Sequence, residues 1–165
     1  MIISGRACRN RNFWAAHLQR TDTNESVRMV ETRGLLAGDI NSALQEMAGM
    51  AAGARAKDFI YVASLNPRPD EHLTPEQWEQ AADIAERHLG LSGQQRFIVE
   101  HEKEGRAHQH VVWLRIDMDS QTAISDSMSY RKHQQASREI EREFGLEPVE
   151  SVLLKGESPR PDLVS

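Results

Sequence analysis

The chain is predicted to fold as an α+β domain, an antiparallel sheet of about five strands with helices packed mainly on one face, in the order βαβαβαββα. Three observations predict this. Short stretches rich in β-branched and aromatic residues alternate or run continuously apolar. Longer stretches repeat apolar residues at helical spacing. The two kinds interleave along the chain until two strands follow one another just before the last helix.

Taken in order, Met1 to Ser4 is a short apolar strand, and Arg9 to Arg20 a helix with Phe13 and His17 on one face and Trp14 and Leu18 beside them. Ser26 to Thr32 alternates as a strand. After a loop bracketed by Gly34 and Gly38, Asp39 caps a helix carrying Ile40, Ala43, Leu44, Met47, Ala48 and Ala51. Phe59 to Leu65 is a near-continuous β-rich run, the mark of a central strand, ended by Pro67 and Pro69. Thr74-Pro75-Glu76-Gln77 then starts a helix with a capping box, whose stripe of Trp78, Ala81, Ala82, Ala85 and Leu89 stops at Gly90. Gln95 to His101 and Ala107 to Ile116 form paired strands. Ser129 to Phe144 is the last helix, with Ala136, Ile140 and Phe144 as its stripe and Gly145 as its end. Residues 1–150 thus form one domain, and residues 151–165, where Gly, Ser and Pro become frequent, read as a flexible tail or the start of a linker.

The most informative segment lies on the paired strands. It reads His101-x6-His108-x-His110, with a short polar stretch from Glu102 to Arg106 as the hairpin turn. Side chains alternate across a strand, so His108 and His110 share a face, and the turn folds His101 back beside them. Three imidazoles converging on one sheet face are a facial metal site with positions left open for water or substrate. His72, His88 and His133 have no such convergent partners and read as surface residues.

Bulk properties set limits. At 165 residues, 39% hydrophobic and 27% charged, the chain has the composition of a globular domain, and no run approaches a membrane span. Cys8 is the sole cysteine, which excludes an intrachain disulfide and points to a reducing, cytoplasmic setting. The net charge of −5 is unlike that of a typical nucleic-acid binder. Its distribution is different: Arg6, Arg9, Arg11 and Arg20 gather near the start without a single acid, a basic face suited to a phosphate backbone.

With these residues in view, the His101-x6-His108-x-His110-Val111-Val112 element, following its β-α-β-α-β-α lead-in, resembles the three-histidine motif of relaxases. These are the HUH-type endonucleases that nick plasmid or integrative-element DNA for conjugative mobilisation. Ser125 to His133, followed by Glu139 to Leu146, resembles the helix after that motif in the MobA/VirD-like branch. The resemblance extends from Gly5 to Val149. It implies a relaxase-like nuclease domain in which His101, His108 and His110 hold Mg²⁺ or Mn²⁺. It also implies site- and strand-specific nicking of single-stranded origin-of-transfer DNA through a covalent 5′-phosphoryl enzyme, with relaxosome accessory proteins as partners.

The chain departs from the family pattern at the nucleophile. Most of these relaxases carry a tyrosine on the first helix, whereas Tyr61 and Tyr130 here lie on a strand and on the last helix. His17 occupies the first-helix position, and another relaxase branch uses histidine as nucleophile. A neutral imidazole needs no base to remove a proton, unlike a phenol with a pKa near ~10. His17 is the candidate nucleophile, against the alternative of a helix histidine packed beside Phe13. Tyr130 is the competing nucleophile, its other role being base stacking next to Arg131 and Lys132, which suit DNA contacts. Glu102 and Glu104 neighbour the metal histidines and are candidates to orient an imidazole N–H, against the alternative of solvated turn residues. Two further readings keep parts of this picture: a metal- and DNA-binding module of the same fold without chemistry, and a three-histidine hydrolase acting on a small substrate.

Overall fold

A computed structural model describes residues 1–9, 11–19 and 26–149, with the backbone alone at residues 11–13. The expected tail at 151–165 and the side chains of Arg11 and Arg20 lie outside the described residues. The elements are β1 (Ile2–Cys8), α1 (Arg11–Leu18), β2 (Ser26–Arg33), α2 (Ile40–Met50), β3 (Ile60–Asn66) and α3 (Pro75–Leu89), followed by β4 (Arg96–Lys103), β5 (Arg106–Leu114), β6 (Ile116–Asp117), β7 (Thr122–Ala123) and α4 (Ser129–Phe144). Strands β1 to β5 form one sheet in the order β1-β3-β5-β4-β2, every neighbour antiparallel. The predicted α+β class and five-stranded sheet are therefore those observed. The two-residue strands β6 and β7, joined around a turn in which Asp117 Oδ1 accepts from the amides of Asp119 and Ser120, were not expected.

The distribution of helices corrects the sequence reading. They do not gather mainly on one face: α3 and α4 cover one side and α1 and α2 the other. Trp78, Ala81, Ala85 and Leu89 of α3, with Ala136 and Ile140 of α4, pack on Ile3, Tyr61, Leu65, Ile98, Val111 and Trp113. Ala15 and Leu18 of α1, with Ile40, Leu44 and Met47 of α2, pack on Ile60, Val62, Phe97, Val99, Val112 and Leu114. The physical reason is visible in the strands, since β3, β4 and β5 carry apolar residues on consecutive positions and bury both faces. Each layer hides apolar area worth ~25 cal/mol per Å², and neither face could stay open without losing that term.

Local signals hold where they were strongest. Thr74 Oγ1 accepts from the Gln77 amide at 3.1 Å while Gln77 returns a bond to the Thr74 amide at 2.9 Å, closing the capping box of α3. Asp39 caps α2 through the Ser42 amide. His133 corrects another expectation. It is buried against the core, its Nε2 2.9 Å from the Tyr61 hydroxyl, because it stands one turn before Ala136 and Ser137 on the inward stripe of α4. Burial pushes the His133 pKa down to about 4, so the ring is neutral.

Gly5 sets the spacing between β1 and β3. A Cβ at this position would come within 2.5 Å of the Val62 carbonyl oxygen and 2.8 Å of Ala63 Cα, both backbone atoms that cannot turn aside. Gly5→Ala is therefore expected to cost roughly 1–3 kcal/mol of stability by overpacking. Urea unfolding checks this, and a midpoint equal to that of the wild type would contradict it.

Candidate metal centre

The centre is built on one hairpin. Glu104 (φ 54°) and Gly105 (φ 76°), both left-handed, form the two-residue turn between the paired Lys103 and Arg106, a geometry that matches the twist of the strands it joins. That turn fixes the register, setting His101 opposite His108 and Val99 opposite His110. Alternation then puts all three imidazoles on the face covered by α1 and α2. Their ring centroids are 4.6 Å (His101–His110), 5.1 Å (His101–His108) and 5.1 Å (His108–His110) apart.

The ligand atoms of the three rings lie within 4.8 Å of one another. Nitrogens in a facial set around a cation sit roughly 3 Å apart, given metal–nitrogen bonds near 2.1 Å, so small side-chain rotations close the set. Burial, reinforced by the charges of His101, His108 and His17, pushes the His110 pKa down to about 3. Burial, with His101 and Arg106, also lowers that of His108. These rings are therefore neutral, the form in which an imidazole nitrogen offers its lone pair. His101 is further oriented from outside the set. Its Nε2 lies 2.8 Å from the carbonyl oxygen of Leu18, the last residue of α1. A carbonyl only accepts, so Nε2 carries the proton and Nδ1 is left with the lone pair.

The bond from His101 brings α1 onto the centre. His17, half-buried, sits with its ring centroid 6.0 Å from that of His110, and Trp14 meets it edge-on at 5.3 Å. Both line a cavity of about 220 Å³ with Ser4, Arg6, Val62, Ser64 and His110.

A family model described as the nuclease domain of MobA/VirD2-like relaxases matches residues 17–146. The chain belongs to this family. Comparison with curated proteins and with solved structures returns no match. Relaxase nuclease domains are metal-dependent DNA endonucleases that act in mobilisation, and the matched span takes in His17, the triad and α4. Among the described residues no helix is long and apolar enough to cross a membrane.

The other residues singled out from the relaxase sequence are distributed unevenly. Arg6 lines the His17 cavity, whereas exposed Arg9 is ion-paired to Asp58 at 2.9 Å. Tyr130 heads α4, the helix on the opposite side of the sheet, and lines a cavity with Met1, Ile3 and Ser137. Arg131 and Lys132 follow it in the first turn of that helix. Glu102 alternates with His101 and so opens onto the opposite face, in a cavity with Arg28, Glu100 and Gln109. Glu102 therefore does not share the imidazoles' face. Glu104 is in the turn. The atom orienting His101 is a main-chain oxygen, which no side-chain pattern reveals. Ser4 and Ser64, hydrogen-bonded at 3.0 Å under the His17 cavity, were also missed. The signal for them was present, as each interrupts an apolar strand with a small polar residue.

Proposed function

We propose that this domain nicks single-stranded origin-of-transfer DNA by transesterification, with His17 as nucleophile and His101, His108 and His110 holding a divalent cation. The observation that carries the reading is the approach of the α1 histidine to the imidazole triad, 6.0 Å between the His17 and His110 ring centroids. When bound, the cation supplies charge stabilisation at a non-bridging oxygen of the scissile phosphate. Of the two ions the resemblance implies, Mn²⁺ is the better match, because imidazole donors suit transition metals while Mg²⁺ favours oxygen.

The remaining chemistry belongs to the chain. An imidazole nitrogen of His17 attacks phosphorus with its lone pair, a P–N bond forms, and the P–O3′ bond breaks. The 3′ oxygen leaves with the electron pair and takes a proton from solvent. The 5′-phosphoryl group stays on His17 as a phosphoramidate, and that bond retains the energy for later rejoining. Arg6, on the wall of the same cavity, supplies a positive charge to the entering phosphate.

A denaturing gel with labelled origin DNA and Mn²⁺ tests this. Wild type is expected to give a covalent protein–DNA band, and His110→Ala to lose it together with bound metal. DNA binding without any band, with metal bound, would instead favour the non-catalytic module.

A further inference from the structure

We infer that Arg68 and Arg106 form a second phosphate-contacting cleft, which seats the single-stranded DNA flank on the side of the triad away from His17. The inference rests on the proposed nicking function and extends it to residues beyond the three histidines and the basic N-terminal cluster.

A cavity of about 710 Å³ lies at the end of β3, lined by Ile2, Asn66, Pro67, Arg68, Arg106 and Pro148 among others. Arg106 is two residues before His108 on β5 and so projects from the triad's face. Arg68 and Arg106 are both exposed, and among the described residues neither side chain is ion-paired. Arg9, Arg33, Arg87 and Arg96, by contrast, are each committed to a carboxylate.

The cleft and the His17 cavity lie along the same pair of strands. On the triad face, β1 and β3 run as paired rows, Arg6 with Val62, Ser4 with Ser64, and Ile2 with Asn66. The first two rows line the His17 cavity and the third lines the cleft. A chain of hydrogen bonds stitches the floor between them. Ser4 and Ser64 share a bond at 3.0 Å, and Asn66 Nδ2 donates to Ser64 Oγ at 3.0 Å and to the Ile2 carbonyl at 3.3 Å. From Arg6 to Ile2 the floor runs on the order of 13 Å along β1, with His110 and His108 beside it. A groove with a cation at each end suits a strand whose phosphates are regularly spaced. Pro67, Pro148 and the 56% exposed Ile2 add an apolar wall for bases. The opposite face of the same hairpin, with Glu79, Glu100 and Glu102 around its cavity, would repel the backbone.

The test is equilibrium binding of fluorescein-labelled single-stranded origin DNA to the full chain by anisotropy, for wild type and Arg68→Gln/Arg106→Gln. Both side chains are exposed, and circular dichroism confirms that the variant folds. Loss of two phosphate contacts is expected to weaken binding on the order of tenfold and to flatten the slope of log K against log salt by roughly 1.4. The deficit should vanish on an oligonucleotide trimmed at the nick on one flank and persist when the other flank is trimmed. Unchanged affinity, or an equal deficit on both trimmed oligonucleotides, would overturn the cleft. A wild type that binds no single-stranded DNA would overturn the nicking function beneath it.

Discussion

His17→Ala is expected to eliminate the covalent protein–DNA species and to slow nicking by at least roughly a thousandfold, while leaving metal affinity unchanged. The separation of the two readouts follows from geometry. His17 lies on α1, and the proposed ligands lie on β4 and β5. Removing its ring clears one wall of the cavity beside His110 without removing a ligand nitrogen. Neither tyrosine is positioned to replace it. Tyr61 is buried in the core under α3 and α4, where desolvation pushes its pKa up to about 12, far from a usable phenolate. Tyr130 stands on the α4 side of the sheet. Tyr130→Phe should therefore give a wild-type yield of adduct. Mass spectrometry of the trapped protein would locate the phosphoryl group, and an adduct lost in Tyr130→Phe but retained in His17→Ala would reverse the assignment.

The largest stability effect is expected at Glu86, an α3 carboxylate buried beneath the sheet. It accepts from Arg33 at 2.5 Å, from Arg96 at 2.9 Å, from the Trp113 indole at 2.9 Å and from the Gly93 amide at 3.3 Å. Arg96 is itself only 2% exposed and also binds Glu31 and Asp83. Glu86→Gln keeps the shape and one acceptor oxygen, but it removes the negative charge facing Arg33 and Arg96 and turns an NH₂ group toward the Gly93 amide, which loses its acceptor. A loss on the order of 3 kcal/mol follows, read as a lower urea midpoint at constant m. The pH dependence has a definite sign. Burial raises the Glu86 pKa, but the Arg33 and Trp113 hydrogen bonds and the charges of Arg33 and Arg96 outweigh it and hold it below the ordinary 4.5. A depressed carboxyl contributes stability above its unfolded pKa and forfeits it as pH falls through the folded value. The wild-type advantage over Glu86→Gln should thus be full at neutral pH and shrink below about pH 4.5. An advantage that grew on acidification would refute the assignment.

Much of this was legible in the residues. The capping box at Thr74, the Gly90 and Gly145 helix ends and the β-rich runs each follow from local chemistry, and each is where it was expected. The triad was legible for the same reason: strand alternation and a short turn fix which side chains meet, without any knowledge of distant packing. What failed had two origins, a strand pattern not followed through and, at His133, a partner distant in sequence. The helices were assigned to one face although the continuous apolar runs of β3, β4 and β5 already demanded cover on both. His133 was read as exposed because its partner, Tyr61, is 72 residues away. Glu102 was credited with orienting an imidazole because it is adjacent to His101 in sequence, and adjacency on a strand means opposite faces.

The hydrogen bond between His101 and the Leu18 carbonyl has a mechanical consequence. His17 and Leu18 are consecutive, so the helix turn that carries the proposed attacking ring also grips a ring proposed to hold the cation. Any small rocking of α1 drags both together. The separation between the proposed attacker and the proposed cation site is thereby governed by one short tether instead of by the stiffness of the whole domain, and thermal drift is shared by the two instead of accumulating between them.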